Sequence, residues 1–221
     1  DDITAAIARA LAPRSAAPAP AAASGGSAGT SDLEAYDLYM NGEVELRRRA
    51  IPLAIDLFER AIARDGQFAR AYAGLSQSLA LSPYFTTNAQ DAVFGRATAA
   101  AKTALARDST IAEAWFSLGL VHMHAWQWEE ARRYFDRALA ADSTDVQTHF
   151  QAGRFHLYAG DREAALAEWA RAKKLDPFSA LAASWTAYVW SATGRTAEAV
   201  PEMDRAVQYD STAPVILQNA I

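Results

Sequence analysis

Cysteine is absent from this chain of 221 residues, so disulfide bonds, zinc–thiolate centres and cysteine nucleophiles are excluded. Positive charge is scarce as well, because 21 basic residues against 26 acidic ones leave a net charge of −5. Nucleic-acid-binding domains normally carry a basic stripe, and we therefore expect no nucleic-acid partner. No apolar run approaches the roughly 18 residues of a membrane-spanning helix, which predicts that this chain does not insert into a membrane.

Motifs of common catalytic sites are also missing. The sequence contains no Gly-rich phosphate loop, nucleophile elbow, HExxH helix or dinucleotide-binding turn. The acidic pair Glu129–Glu130 stands where a helix is expected to begin, and the helix dipole favours negative charge there. We therefore expect no enzymatic activity, no cofactor and no metal ion in these residues.

Alanine is abundant, with 53 residues. By composition and by the spacing of its apolar residues, the chain divides into three parts. Residues 1–11 have apolar positions at i, i+4 and i+8, which predicts a short amphipathic helix that docks elsewhere or ends an upstream domain. Residues 12–31 are almost entirely Ala, Pro, Gly and Ser, a composition typical of a linker. Residues 32–221 show apolar residues with a helical period throughout and no alternating strand pattern. Because the helical pattern continues to the last residue, we expect a fragment of a longer protein.

The helical part repeats itself, with unit starts separated by 34, 43, 34, 34 and 34 residues. The longer second unit carries nine extra residues in its inter-helix turn, within SPYFTTNAQD. Each unit is predicted to be a helical hairpin whose backbones approach closely, since small residues at position 8 oppose alanines at position 20. A large side chain at position 24 fills the space beside them, except in unit 2, where this position is Ala101. The units begin at Ala35, Ala69, Ala112, Val146, Ala180 and Pro214.

Two further columns mark the ends of the predicted helices. An aspartate at position 31 ends each second helix, as in Asp108 and Asp142. Thr110 with Glu113 has the spacing of a capping box, in which a hydroxyl and a carboxylate satisfy the first N–H groups of the next helix, and Thr144 with Gln147 has it too.

These columns resemble the tetratricopeptide repeat, whose pattern is W-x2-L-G-x2-Y followed by A, F, A and P at fixed offsets. Unit 3 has Trp115, Leu118 and Gly119 and then Ala131, Phe135 and Ala138, and unit 4 ends on Pro177. The resemblance covers residues 35–221. It implies an all-α fold, a right-handed α-α superhelix of about five helical hairpins plus the start of a sixth.

A looser resemblance concerns the longer protein. Strings such as AYDLYMNGEVELRRR and WQWEEARRYFDRAL are similar to the C-terminal repeat arrays of bacterial signalling proteins, among them Ser/Thr kinases, adenylate cyclases and winged-helix regulators. These residues contain no motif of those catalytic or DNA-binding domains, so we do not assign the activities of such domains to this chain.

In this family a peptide or protein partner binds in the concave groove lined by the first helices. The positions that face the groove in the family carry aromatic and some basic residues here, which suits a peptide with apolar anchors and an acidic residue. The lysine and asparagine of the carboxylate clamp that holds chaperone tails are missing from units 2 and 3. The predicted groove residues are Tyr39, Arg47, Arg70, Gln77, Phe116, Met123, His124, Phe150, Arg154, Tyr158 and Tyr188.

Two other groups of residues have a structural interpretation and a functional one. His122 and His156 occupy position 11 of neighbouring units, but no Asp or Glu stands beside them at ligand spacing, which favours packing over a metal site. Trp126 and Trp128 flank the turn inside unit 3, and we expect the insertion of unit 2 to cover them. A contact patch is the alternative.

The sequence thus predicts a non-catalytic interaction scaffold that binds a partner through its concave groove, as a module of a larger bacterial signalling or regulatory protein. Two alternatives stay open. Because the last unit has no polar capping helix, the array is a candidate for head-to-tail oligomers or filaments. It is equally a candidate for the non-catalytic end of an enzyme whose catalytic domain lies upstream. The sequence does not fix the compartment.

Overall fold

The computed structural model describes residues 29–84, 90–211 and 214–219, and every regular element in these ranges is helical. The predicted helix over 1–11 and most of the predicted linker lie outside the described residues. No described helix has the length and apolarity needed to cross a membrane. The α-helices, in chain order, are α1 Leu33–Arg47, α2 Ile51–Arg64, α3 Ala69–Leu81, α4 Gln90–Arg107, α5 Ala112–His124, α6 Trp128–Ala141, α7 Val146–Tyr158, α8 Arg162–Leu175, α9 Ala180–Ala192, α10 Thr196–Tyr209 and α11 Pro214–Asn219.

Successive helices pack as hairpins, α1 on α2, α3 on α4 and so on to α9 on α10, and α11 packs against α9. This is the α-α solenoid that the sequence predicts. The predicted unit starts at Ala69, Ala112, Val146, Ala180 and Pro214 are the first residues of α3, α5, α7, α9 and α11. In the longer second unit, a 3₁₀ turn at Ser82–Tyr84 follows α3, and α4 begins at Gln90.

Three of the hairpins, those of units 1, 3 and 4, close tightly because a large side chain of the second helix lies against a glycine of the first. Phe58 of α2 is completely buried, and its ring lies where a Cβ on Gly42 of α1 would stand only 2.7 Å from it. Trp169 of α8 lies in the same way on Gly153 and donates its indole N–H to the Phe150 carbonyl at 3.1 Å. The small residue at position 8 therefore makes room for the large side chain at position 24.

The core runs from one hairpin into the next. The ring centroid of Phe135 on α6 lies 6.3 Å from that of Phe116 in its own unit and 5.8 Å from that of Phe155 in the following unit. All three side chains are buried. A solenoid is held together in this way by contacts between neighbouring units.

The aspartates at position 31 shape the turn into each new unit. Asp108 Oδ1 accepts hydrogen bonds from the N–H and the hydroxyl of Thr110, and Asp142 does the same for Thr144. The capping boxes predicted at these threonines are therefore wrong, because the hydroxyls turn back to the aspartates. The helix α7 is capped instead by Asp145, whose carboxylate accepts from the N–H groups of the second and third helical residues.

The last residues of the predicted linker contact the first repeats. The Thr30 hydroxyl donates to Asp65 Oδ2 at 2.5 Å, and Gly29 lies beside the Phe68 ring with a φ of +76°. Asp32 then caps α1 by accepting from the Ala35 N–H at 2.9 Å. Gly29 and Thr30, which the sequence assigns to the linker, thus contact residues of the first repeat.

Candidate functional site

A cavity of about 750 Å³ lies along the first helices of the hairpins, and we call it the groove cavity. All five first helices contribute to its wall, from Glu43 of α1 through Gln77 of α3, Glu113 of α5 and Phe150 of α7 to Trp185 of α9. Because these helices come from different repeats, the cavity depends on the stacking of the whole array.

Arg154 of α7 is the centre of the polar contacts in this wall. Its guanidinium donates from Nη1 to the Tyr84 hydroxyl at 3.0 Å and to Gln151 Oε1 at 3.1 Å, and from Nη2 to the Tyr158 hydroxyl at 2.9 Å. The same group lies 5.0 Å from the ring centroid of Tyr84, 5.4 Å from that of Tyr158 and 5.5 Å from that of Trp185. These distances are within the range of cation–π contacts, so three rings fix the orientation of one positive charge.

Apolar surface adjoins this arginine. Phe150, four residues before it on α7, lines the cavity while 5 % of its surface is exposed. Trp185 of α9 packs at 5.9 Å from both Trp169 and Tyr188, and at 6.4 Å from Tyr158. The cation therefore lies within an aromatic strip that runs from α7 to α9.

The N-terminal part of the wall carries negative charge. Burial raises the pKa of the Glu43 carboxyl, and the nearby Glu113 carboxylate raises it further, against the effect of Arg47. Arg47 Nη1 lies 3.5 Å from Glu43 Oε2, but the arginine side chain is mostly exposed, and such a pair stabilises little. The groove cavity thus combines a pair of repelling carboxylates on α1 and α5 with a caged arginine on α7.

Two family models match the chain in sequence. A tetratricopeptide repeat model matches residues 112–145, which coincide with the third predicted unit, and a second tetratricopeptide repeat model matches residues 150–214. The chain contains tetratricopeptide repeats. No curated protein matches its sequence.

Solved structures share the fold of this repeat array. TTC0263, a thermophilic TPR protein of Thermus thermophilus, superposes with a TM-score of 0.68 at 18% identity, over 84% of this chain and 97% of its own. MamA superposes with a TM-score of 0.55 at 16% identity, over 77% of this chain and 94% of its own. YrrB is described as a TPR protein with an unusual peptide-binding site. It superposes with a TM-score of 0.53 at 18% identity, over 83% of this chain and 90% of its own. At these identities the similarity shows the fold alone.

The structure brings together part of the predicted groove set. Arg47, Gln77, Phe150 and Arg154 line the groove cavity. Tyr158 bonds to Arg154, Tyr188 packs on Trp185, and His124 bonds to the hydroxyl of Tyr84. That these residues bind a partner remains a prediction.

Four other predicted groove residues lie elsewhere. Phe116 is fully buried and Met123 is 3 % exposed, and both belong to the hydrophobic core. Tyr39 packs against Phe58 and Phe68 in the first repeats with tilted rings, and Arg70 is exposed outside the cavity wall. Placing Phe116 and Met123 on the groove surface was wrong, because both side chains pack in a core that includes residues of α3, α4, α6 and α7.

Sequence reasoning missed Tyr84, Trp185, Glu43 and Glu113. Glu43 occupies position 9 and Glu113 position 2, both groove positions of the family, so the repeat register alone was enough to find them. Tyr84 lies in the insertion of unit 2, which has no counterpart in the repeat pattern. No sequence signal indicated that it would reach Arg154.

The histidines make structural contacts. His149 is buried, with Nδ1 2.6 Å from Glu168 Oε2 and Nε2 3.0 Å from the Ser143 carbonyl oxygen, and His122 Nδ1 lies 2.5 Å from Gln127 Oε1. Among the described residues, no group of three or more His, Asp or Glu side chains could hold a metal ion.

The two tryptophans at the α5–α6 turn differ in environment. Trp128 is half-buried and packs on Phe155 with ring centroids 6.2 Å apart. Trp126 is 74 % exposed and adopts a left-handed backbone with φ +59°, where the next two units have Gly160 and Gly194 at φ +87° and +80°. The expected cover by the insertion is wrong for Trp126, whose ring contact among the described residues is with Trp128 at 5.4 Å.

Proposed function

We propose that this repeat array is a non-catalytic scaffold that binds a peptide segment of a partner protein in the groove cavity. The observation that carries the proposal is the cavity of about 750 Å³ to which all five first helices contribute. Cavities of this size suit side-chain anchors, and its wall offers aromatic, cationic and anionic groups within one surface.

The comparisons support the same function. Tetratricopeptide repeats match by sequence over two ranges, and YrrB, which shares the fold, is described as having a peptide-binding site. We further propose that the array serves as an interaction module of a larger bacterial signalling or regulatory protein, in line with the resemblance of its repeats.

The test is selection of peptides from a random displayed library on the immobilised chain, followed by titration of the selected peptides against two variants. Gln77→Trp fills the groove cavity from α3 and is expected to abolish binding. Arg133→Trp adds the same side chain at an exposed position of α6 outside the cavity wall and is expected to leave binding unchanged.

Two outcomes contradict the proposal. One is the recovery of no peptide, and the other is equal loss of binding in both variants when their helicity and melting match the parent. Sedimentation of the unliganded chain addresses the alternative of self-assembly, because a mass that increases with concentration favours head-to-tail oligomers.

A further inference from the structure

The guanidinium of Arg154 is held in place without a carboxylate. Its described partners are neutral, two phenol hydroxyls and one amide oxygen, at 2.9 to 3.1 Å. Among the described residues no carboxylate oxygen lies within 4.0 Å of it, whereas several arginines elsewhere in the array form ion pairs at that distance. Since no described carboxylate neutralises it, this positive charge remains available to attract an anion.

Two N–H donors in this wall lack an acceptor. Arg154 Nε and Trp185 Nε1 are both buried and have no hydrogen-bond partner among the described residues. Both groups donate only, so what is missing from the wall is an acceptor. Buried donors are nearly always satisfied in native proteins and an unsatisfied one is costly, so an acceptor that reached these two donors would stabilise the wall.

The charge of the wall limits which anion fits. Four acidic side chains line the groove cavity, among them Glu43 and Glu113, against three arginines. With a net charge of −5, the chain repels a polyanion such as nucleic acid or polyphosphate. One carboxylate on an otherwise neutral or basic peptide avoids this repulsion and supplies the acceptors that the two donors need.

We propose that the peptide bound in the groove cavity presents an Asp or Glu side chain whose carboxylate binds Arg154 within the ring cage of Tyr84, Tyr158 and Trp185. This inference rests on the proposed function and names the chemistry of its ligand. The rings hold the guanidinium in one orientation, so the complex forms without ordering a flexible cation first. The flanking Phe150 accommodates an apolar neighbour of the acidic residue.

The experiment uses the peptides selected in the library test. Each acidic residue of a selected peptide is replaced by its amide, and binding to the whole chain is measured by fluorescence anisotropy of labelled peptides. We expect one Glu→Gln or Asp→Asn change per peptide to weaken binding about tenfold to a hundredfold, the range for a hydrogen-bonded charge pair. Added salt should weaken the binding of the acidic peptide more than the binding of its amide counterpart.

Protein variants assign this effect to the arginine. Arg154→Gln should remove the preference for acid over amide, and Arg154→Lys should keep part of it because the charge remains. Arg133→Gln removes one exposed positive charge outside the cavity wall and should leave the preference unchanged. Substitution on the peptide side tests the wild-type chain directly, so the result stands even where Arg154→Gln lowers the melting temperature.

The outcomes separate the two proposals. Selected peptides that bind in the groove but carry no acidic residue, or that lose nothing on amidation, overturn the carboxylate inference and leave peptide binding intact. An acid preference that persists in Arg154→Gln overturns the assignment to Arg154. The recovery of no binding peptide overturns the proposed function itself.

Discussion

Phe58 lies between glycines of two different repeats, and replacing either glycine by alanine forces a new methyl group into its ring. A Cβ on Gly74 would stand 2.5 Å from Phe58 Cε1 and Cζ, and one on Gly42 would stand 2.7 Å from Cε1. On Gly119 the closest atom, Cδ1 of another buried phenylalanine, would be 3.0 Å away. Gly95 of α4 is a control, because no described atom lies within 4 Å of the position of its Cβ.

Whether each substitution stabilises or destabilises the fold depends on two opposing contributions to the free energy of unfolding. Alanine is favoured over glycine inside a helix by about 1 kcal/mol, while overpacking of a core costs about 1 to 3 kcal/mol. We therefore expect Gly95→Ala to stabilise by about 1 kcal/mol and Gly119→Ala to be close to neutral. Gly74→Ala should destabilise by about 1 to 2 kcal/mol, with Gly42→Ala slightly less harmful.

Urea unfolding followed by far-UV circular dichroism measures these differences as shifts of the midpoint. A second background, Phe58→Leu, removes the ring and should reduce the penalty of Gly74→Ala by about 1 kcal/mol, since the two residues are in contact. If Gly74→Ala is as stable as Gly95→Ala, or if the penalty is the same in both backgrounds, the close packing of Phe58 on Gly74 is refuted.

Two further predictions concern single residues near the α5–α6 turn. Trp126→Gly should be more stable than Trp126→Ala by about 1 kcal/mol, because only glycine adopts the left-handed backbone at no cost, and equal thermal stability of the two variants would contradict the strain. Burial, and to a smaller extent the positive charge of Arg154, lower the pKa of His124 to about 4. Since the unfolded chain then binds more protons, stability should fall as the pH drops from about 6.5 to 4, by on the order of 1 to 3 kcal/mol. In urea titrations across this range the loss should be smaller in His124→Gln, and identical pH profiles would show that His124 is not the group responsible.

The sequence by itself determined the repeat register and the helix starts. These depend on local patterns, namely the helical period of apolar residues and, in most units, the pairing of a small residue at position 8 with a large side chain at position 24. Each hairpin is built from residues close in sequence, so the rule that predicts Gly153 opposite Trp169 needs no knowledge of the other repeats. Competition among local groups was harder to predict: the hydroxyl of Thr110 donates to Asp108 instead of accepting from the Glu113 N–H.

Only the tertiary structure decided which side chains form the groove. Phe116 and Phe150 share position 5, yet Phe116 is fully buried while Phe150 lines the cavity. The two side chains pack in different core clusters, each of which includes residues of neighbouring units, so the difference arises from packing between units rather than from either helix alone. The bond of Arg154 to Tyr84 joins residues 70 positions apart, one of them in an insertion outside the repeat pattern. The caged arginine therefore exists only once the array has stacked, because no local rule brings its rings together.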